Sequence, residues 1–127
     1  MAAPAKRIRT TVGEPQARAL LEIQDVACGH AQTLRLTGEV DLASAPLLDS
    51  AVRKICMSGT ATALVLDLAE VRFMDSAGLH AILRAKTLCT SCGMEIRVLP
   101  GCAQVQRLFE ITGVQELIFG TPGGSGS

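Results

Sequence analysis

The stretch LVLDLAEVRFMDSAGLHAIL, from Leu64 to Leu83, contains an apolar segment, a polar pair and a second apolar segment. The first segment opens with a short continuous apolar run, which is typical of a central strand covered on at least one face. In the second, apolar residues recur from Leu79 at a spacing of three and four, which predicts an amphipathic helix. The polar pair is Asp75 and Ser76, and we expect the helix to begin at or just after Ser76.

Two strands and a helix are predicted before this stretch. The segments LLEIQDVA (20–27) and TLRLTGEV (33–40) show alternating apolar residues around a short turn that contains Gly29, a pattern that indicates a β-hairpin. The segment SAPLLDSAVRKICMSG (44–59) has apolar residues at helical spacing. We expect Ser44 to cap that helix, because serine is a favoured N-cap residue.

A helix, a strand and a last short run complete the pattern. The helix after Ser76 is predicted to end at Cys92, with Gly93 as a left-handed cap. The segment MEIRVLP (94–100) alternates as a strand, CAQVQRLFEITGV (102–114) predicts a helix, and ELIF (116–119) suggests an edge strand. The order β-β-α-β-α-β-α-(β) predicts an α/β fold. Its sheet would be mixed and largely parallel, with helices mainly on one face.

The chain has 127 residues, which suits one compact domain. We expect a flexible N-terminal segment over residues 1–19, the domain over residues 20–120 and a flexible tail over residues 121–127. The basic run near the start is short, and a solvated tail explains it better than a binding arm does.

The composition argues against several classes of protein. Lys and Arg together number 12, as do Asp and Glu, so the formal net charge is zero and nucleic-acid binding is not expected. No apolar run reaches the roughly 18–20 residues that a bilayer span needs, and the N-terminus has no signal-peptide pattern. We therefore expect a cytoplasmic protein without a membrane partner.

The cysteine count gives little support to a disulfide or metal site. Cys89 and Cys92 form a C-x-x-C, but no second such pair supplies the four ligands that zinc usually needs. No metal or other cofactor is expected, although a small redox or metal sensor remains an alternative. We expect Cys89 and Cys92 to stay reduced, since a bridge between them would distort the last helical turn.

The sequence lacks the common motifs that would indicate an enzyme. The nucleophile elbow, the zinc-protease helix and the glycine-rich phosphate and dinucleotide loops are all missing. His80, Arg84 and Thr87 fall on the polar face of the predicted helix. Ser76 lies at a strand-to-helix junction with free backbone N–H groups, and we expect it to be the N-cap of the helix. Phosphorylation of Ser76 is compatible with that role, because a phosphate can accept the same N–H groups.

Three motifs carry a resemblance to a known family. They are LTGEVD (Leu36 to Asp41), LVLDLAEVRFMDSAGL (Leu64 to Leu79) and VQRLFEITGV (Val105 to Val114). Together, and in this order, they resemble the STAS domain of the bacterial anti-sigma factor antagonist family. The resemblance covers about residues 20–120 and implies the same element order.

The resemblance also implies a function. An antagonist of this family binds an anti-sigma factor, which is a serine kinase, and thereby releases a sigma factor. Carried over, the kinase would phosphorylate Ser76 and end the binding, and a PP2C-type phosphatase would reset the protein. The alternative is a STAS module in a stressosome-like complex or a transporter-associated complex.

The candidate partner-binding residues lie around two strand ends. Since ligand sites of parallel sheets gather at the carboxyl ends of strands, we expect both groups to share one edge. Ala77 stands where many relatives have Ser or Thr, and His80 where many have Gly. The full set is Gly38, Glu39, Asp41, Asp75, Ser76, Ala77, Gly78 and His80.

Overall fold

The computed structural model describes residues 6–9 and 20–119. Five strands form one sheet whose spatial order follows the chain, β1-β2-β3-β4-β5. The strands are β1 (Lys6–Arg9), β2 (Leu21–Cys28), β3 (Ala31–Val40), β4 (Ala63–Met74) and β5 (Glu95–Leu99). The helices are α1 (Ala45–Ser58), α2 (Ser76–Ser91), α3 (Ala103–Thr112) and α4 (Gln115–Phe119).

The sheet combines two kinds of pairing. β2 pairs with β1 and with β3 in antiparallel fashion, and β4 pairs with β3 and with β5 in parallel. The two parallel connections each need a crossover, which α1 and α2 supply. This architecture confirms the predicted α/β fold and its mixed sheet.

The core lies between the sheet and the helices. Alternate residues of β4 are fully buried, whereas their neighbours Val65 and Asp67 are only half-buried, so one face of the sheet is covered more completely than the other. Each fully buried leucine contributes roughly 1.5–3 kcal/mol relative to an exposed one. The largest buried side chains include Ile23, Leu34, Leu36, Leu48, Leu64, Leu66, Leu68, Ile82 and Phe109.

The last element differs from the sequence prediction. The ELIF segment lies in the short helix α4, whereas an edge strand was expected there. Ile118 N–H donates to the Val114 carbonyl at 3.1 Å, and the ring of Phe119 packs edge-on against Phe109 with centroids 5.4 Å apart. An apolar run of four residues is compatible with either structure, and here packing against α3 selects the helix.

The N-terminal segment also differs from the prediction. Residues 1–19 were expected to be flexible, but Lys6–Arg9 form β1, which pairs with Glu22–Asp25 of β2. A short, charged strand is a common way to end a sheet, because it discourages further pairing at the edge. The remaining residues of that segment and the predicted tail, 121–127, lie outside the described residues.

The helix ends agree with the sequence. Gly59 follows α1 with φ 71°, and Gly93 follows Cys92 at the end of α2 with φ 75°, so both adopt the left-handed conformation expected of a C-terminal glycine. Over residues 20–119, none of the helices has the length and apolarity needed to cross a membrane.

Candidate functional site

The carboxyl ends of β3 and β4 lie side by side at one end of the sheet. We call this end, where Asp41 and Asp75 follow the two strands, the switch edge. Val40 pairs with Met74, and the Asp75 N–H donates to the Val40 carbonyl at 3.4 Å. Asp41 and Asp75 therefore follow neighbouring strands at the same edge. This confirms that the two candidate groups share one edge of the sheet.

Asp75 is the N-cap of α2. Its backbone is extended, with φ −114° and ψ −169°, and its side-chain Oδ1 accepts a hydrogen bond from the Gly78 N–H at 3.1 Å. Ser76 is the first helical residue. The prediction that Ser76 caps the helix is therefore wrong, because the preceding carboxylate already holds the amide that a cap serves.

The Ser76 hydroxyl is exposed and has no hydrogen-bond partner among the residues that the structure describes. The backbone N–H groups of Ser76 and Ala77 likewise have no acceptor within residues 20–119. These groups form part of the positive end of the α2 dipole. The site can therefore accommodate an anionic group on Ser76 without breaking an existing bond.

Gly78 allows α2 to approach β3 closely. A Cβ atom at this position would lie 2.1 Å from the Val40 carbonyl oxygen and 2.8 Å from Cγ of Met74. Both contacts are far inside van der Waals distance, so only glycine fits. Gly78 is buried, and its role is to set the position of the helix rather than to contact a partner.

Asp41 organises the loop between β3 and α1. Its Oδ1 accepts hydrogen bonds from the N–H groups of Ala43 and Ser44, both at 3.1 Å. The Ser44 hydroxyl donates to the Glu39 carbonyl at 2.8 Å and accepts from the Asp41 N–H at 2.9 Å. Ser44 is the N-cap residue by position, as predicted, but its buried side chain makes no cap bond to the helix.

A β-bulge separates Gly38 from Glu39, so β3 changes register with β4 just before its end. Gly38 has φ 116°, and a Cβ there would lie 2.2 Å from the Leu20 carbonyl oxygen. The Glu39 N–H donates to that same oxygen at 2.8 Å. Gly38 is buried inside the strand, so it shapes the backbone and does not offer a contact surface.

A groove of about 290 Å³ runs between the first halves of α1 and α2. Leu42, which is 77% exposed, and the exposed His80 lie along it. Arg84 joins the two helices through two hydrogen bonds to the Asp49 carboxylate, from Nη2 at 3.0 Å and from Nε at 3.3 Å. The lining residues are Leu42, Ala45, Pro46, Asp49, Ala77, His80 and Arg84.

Five of these groove residues are absent from the predicted site residues, namely Leu42, Ala45, Pro46, Asp49 and Arg84. Leu42 is an isolated apolar residue next to Asp41 in a polar loop, and that pattern could have marked it. Arg84 was assigned to the polar face of its helix, which is correct, but nothing in the sequence links it to Asp49. That ion pair depends on how α1 and α2 pack.

The site consists of the groove between α1 and α2 and the exposed hydroxyl group of Ser76. Within the described ranges, no three or more His, Cys, Asp or Glu side chains are arranged to hold a metal ion. The Asp41 and Asp75 carboxylates accept hydrogen bonds from backbone amides, and neither is bonded to Ser76. The arrangement suits modification of Ser76 and contact with another protein.

Comparison with known proteins agrees with this description. The STAS domain family matches residues 22–123. The anti-sigma-B factor antagonist of Staphylococcus aureus (strain NCTC 8325 / PS 47) is 29% identical over 85 residues, which are 67% of this chain and 78% of that protein. That protein is named as an antagonist.

Solved structures share the fold. The anti-sigma factor antagonist SpoIIAA in its unphosphorylated form superposes with a TM-score of 0.65 at 17% identity, over 78% of this chain and 85% of that one. The phosphorylated form of the Bacillus protein SpoIIAA gives 0.60 at 16% identity, over 78% and 88%. The motifs, the element order and the match over residues 22–123 agree, and this chain belongs to the STAS domain family.

Proposed function

We propose that this protein is an anti-sigma factor antagonist that binds an anti-sigma factor while Ser76 is unphosphorylated, and so releases a sigma factor. The observation that carries the proposal is the exposed Ser76 hydroxyl, which has no partner among the described residues and lies at the first turn of α2 beside the groove. The similarity to a protein named as an antagonist supports it. The protein acts in the cytoplasm and needs no cofactor.

Phosphorylation of Ser76 by the anti-sigma factor, a serine kinase, ends the binding. A phosphate adds nearly two negative charges and can accept hydrogen bonds from the free N–H groups of Ser76 and Ala77, so α2 keeps its structure. The same charges beside the Asp75 carboxylate oppose burial against a partner, because an unpaired charge is costly to desolvate. A PP2C-type phosphatase removes the phosphate and restores binding.

The partner-binding surface consists of the exposed residues of the switch edge and the groove. The exposed Ser76 and His80 and the half-buried Ala77 come from the first turns of α2, and Leu42 comes from the loop that Asp41 holds. Gly38 and Gly78 contribute by setting the backbone. Asp41 therefore affects binding mainly through the conformation of the Leu42 loop.

A phosphorylation assay tests the acceptor. The protein is incubated with its cognate anti-sigma factor kinase and MgATP, and the modified residue is identified by mass spectrometry. We expect one phosphate on Ser76 in the wild type and none on Ser76→Ala. Ser50→Ala is the matched control, because Ser50 is also an exposed helical serine. Phosphate on another residue, or none at all, contradicts the proposed switch.

A binding measurement tests the effect of the charge. Calorimetric titration with the anti-sigma factor compares wild type, Ser76→Ala and Ser76→Asp. We expect Ser76→Ala to bind like the wild type and Ser76→Asp to bind at least tenfold more weakly, which is about 1.4 kcal/mol. Equal affinity of the two variants would mean that Ser76 is not the switch.

The same fold serves in other assemblies, and fold alone does not fix function. A pull-down from the native cell extract separates the antagonist from a STAS module of a stressosome-like or transporter-associated complex. Recovery of an anti-sigma factor kinase supports the proposal. Recovery of a large complex or a transporter without such a kinase favours the alternative.

A further inference from the structure

Three cysteines come together at the opposite end of α1 and α2 from the switch edge. Cys56 lies in the last turn of α1, Cys89 lies in the last turns of α2, and Cys92 follows α2 directly. Val52 of α1 lines the same groove as Ala85 and Leu88 of α2, and one turn further along the two helices these positions become Cys56, Cys89 and Cys92. The C-x-x-C of the sequence is therefore part of a three-thiol cluster that the sequence did not reveal.

The packing of the two helices explains this cluster. α1 and α2 follow the parallel strands β3 and β4, so they run in the same direction and rise equally, by about 1.5 Å per residue. The ion pair between Asp49 and Arg84 joins positions 35 residues apart in the chain. The same offset, continued two turns further, sets Cys56 level with residue 91, so Cys89 and Cys92 lie within about 3 Å of that level along the helix axis.

The three thiols differ in their surroundings. Cys89 is fully buried, Cys56 is half-buried against the core, and Cys92 is exposed. Burial, together with the neighbouring Cys92 and Cys89 thiols, raises the pKa of Cys56 to about 12. Burial also raises the pKa of Cys89. Because the thiolate is the reactive form, neither of these residues is suited to react first, and Cys92 is the accessible one.

We propose that Cys92 and Cys56 form a peroxide-oxidation site that closes to a disulfide between the C-terminal ends of α1 and α2. This inference does not depend on the proposed function. Cys89 is fully buried and is not a partner in the bond.

The chemistry needs a peroxide as the oxidant. The Cys92 thiol ionises, its thiolate attacks one peroxide oxygen, and the O–O bond breaks, so that Cys92 becomes a sulfenic acid. The other oxygen leaves as hydroxide or alkoxide and takes up the proton that the thiol released, which gives water or an alcohol. The Cys56 sulfur then attacks the Cys92 sulfur, and the sulfenic oxygen leaves as water with the Cys56 proton. Two thiols lose two electrons to the peroxide, and a thiol reductant reverses the bond by exchange.

The disulfide would lie far from the switch. Sixteen residues separate Ser76 from Cys92, which corresponds to about 24 Å along a helix. We therefore expect oxidation to leave phosphorylation of Ser76 unchanged. The two proposals can then fail independently of each other.

Peptide mapping tests the disulfide in the wild-type protein. After treatment with hydrogen peroxide and blocking of the remaining thiols, trypsin releases Cys56 in peptide 55–72 and both Cys89 and Cys92 in peptide 87–97. We expect these two peptides to be joined and to separate on reduction. An internal bridge within peptide 87–97, or two peptides that stay separate, would overturn the proposal.

Variants assign the partners. We expect Cys92→Ser to abolish the joined peptides, and Cys56→Ser to leave a sulfenic acid on Cys92 that dimedone traps. Cys102→Ser is the matched control, since Cys102 is exposed but lies outside the cluster, and it should cross-link like the wild type. Joined peptides that persist in Cys92→Ser would assign the bond to Cys89 and contradict the role given to Cys92.

Discussion

Two aspartate–serine pairs lie at the starts of α1 and α2, and their serines have opposite environments. At the start of α1, Ser44 is completely buried and its hydroxyl bonds to the backbone of Glu39 and Asp41. At the start of α2, Ser76 is exposed and no described residue bonds to its hydroxyl. In both places the aspartate carboxylate accepts from backbone amides at the helix start.

The difference comes from the separation of the aspartate and the serine along the chain. Ser44 follows Asp41 by three residues, so the chain turns back and brings the serine under the end of β3. Ser76 follows Asp75 directly and becomes the first helical residue, with its side chain toward solvent. The same two residue types thus build a fixed loop in one place and leave an accessible hydroxyl in the other.

The largest effect should come from a side chain at Gly78, where the start of α2 packs closely against the end of β3. We expect Gly78→Ala to lower the free energy of unfolding by about 3 kcal/mol, since its Cβ would overlap the Val40 carbonyl. Gly93→Ala is the control, because its Cβ meets nothing within 4 Å and its cost is limited to about 1–2 kcal/mol for the left-handed backbone. Denaturant titration measures both, and equal losses would contradict the close approach.

The buried serine should come next. Ser44→Ala removes the donor to the Glu39 carbonyl and the acceptor of the Asp41 N–H, so we expect a loss of about 2 kcal/mol. Ser50→Ala, on the exposed side of the same helix, should change stability by less than about 0.5 kcal/mol. If thermal unfolding finds the two variants alike, the loop network contributes nothing.

Removal of the carboxylate that caps α2 should have a smaller effect. We expect Asp75→Ala to cost about 1 kcal/mol, because the Gly78 N–H loses its acceptor. Asp75→Asn should retain most of the stability, since asparagine is an equally good cap. Comparable destabilisation in both variants, measured by denaturant titration, would show that the negative charge matters more than the hydrogen bond.

The smallest effect on stability should come from the exposed serine. Ser76→Ala should change the free energy of unfolding by less than about 0.5 kcal/mol, because Ser76 is not the cap. A loss near 1 kcal/mol would be the value for a helix cap and would return that role to Ser76. Urea titration of this variant beside Ser44→Ala gives the most direct contrast between the two pairs.

Patterns that depend on burial could be read from the sequence, and contacts between distant segments could not. The alternation in β3 and the apolar spacing in α2 identified those elements correctly. The local sequence does not decide which residue caps α2, because Asp75 and Ser76 are both good cap residues. The deciding contact is the bond from the Asp75 N–H to the Val40 carbonyl, which exists only once β3 and β4 have paired.

In the candidate site, too, some features follow from sequence patterns and others depend on contacts between distant segments. The position of Ser76 at a helix start followed from the sequence, as did the shared edge with Asp41. The groove did not, because it depends on α1 packing beside α2 and on the ion pair between Asp49 and Arg84. The role of Ser44 could not be predicted either, because its partners, Glu39 at the end of β3 and Asp41 in the following loop, reach it only through a turn that no local pattern specifies.

The strand order of the sheet has a consequence for synthesis of the chain. Among the described residues, each strand from β2 onward pairs with the strand made just before it, so none of these strands has to wait for a distant later segment. As the chain leaves the ribosome, each new strand can dock on the open edge left by its predecessor. The strand β4, which carries the continuous apolar run of Leu64, Val65 and Leu66, emerges after the hairpin and α1 are complete. Its hydrophobic side chains then meet a surface already formed, which limits their exposure to aggregation.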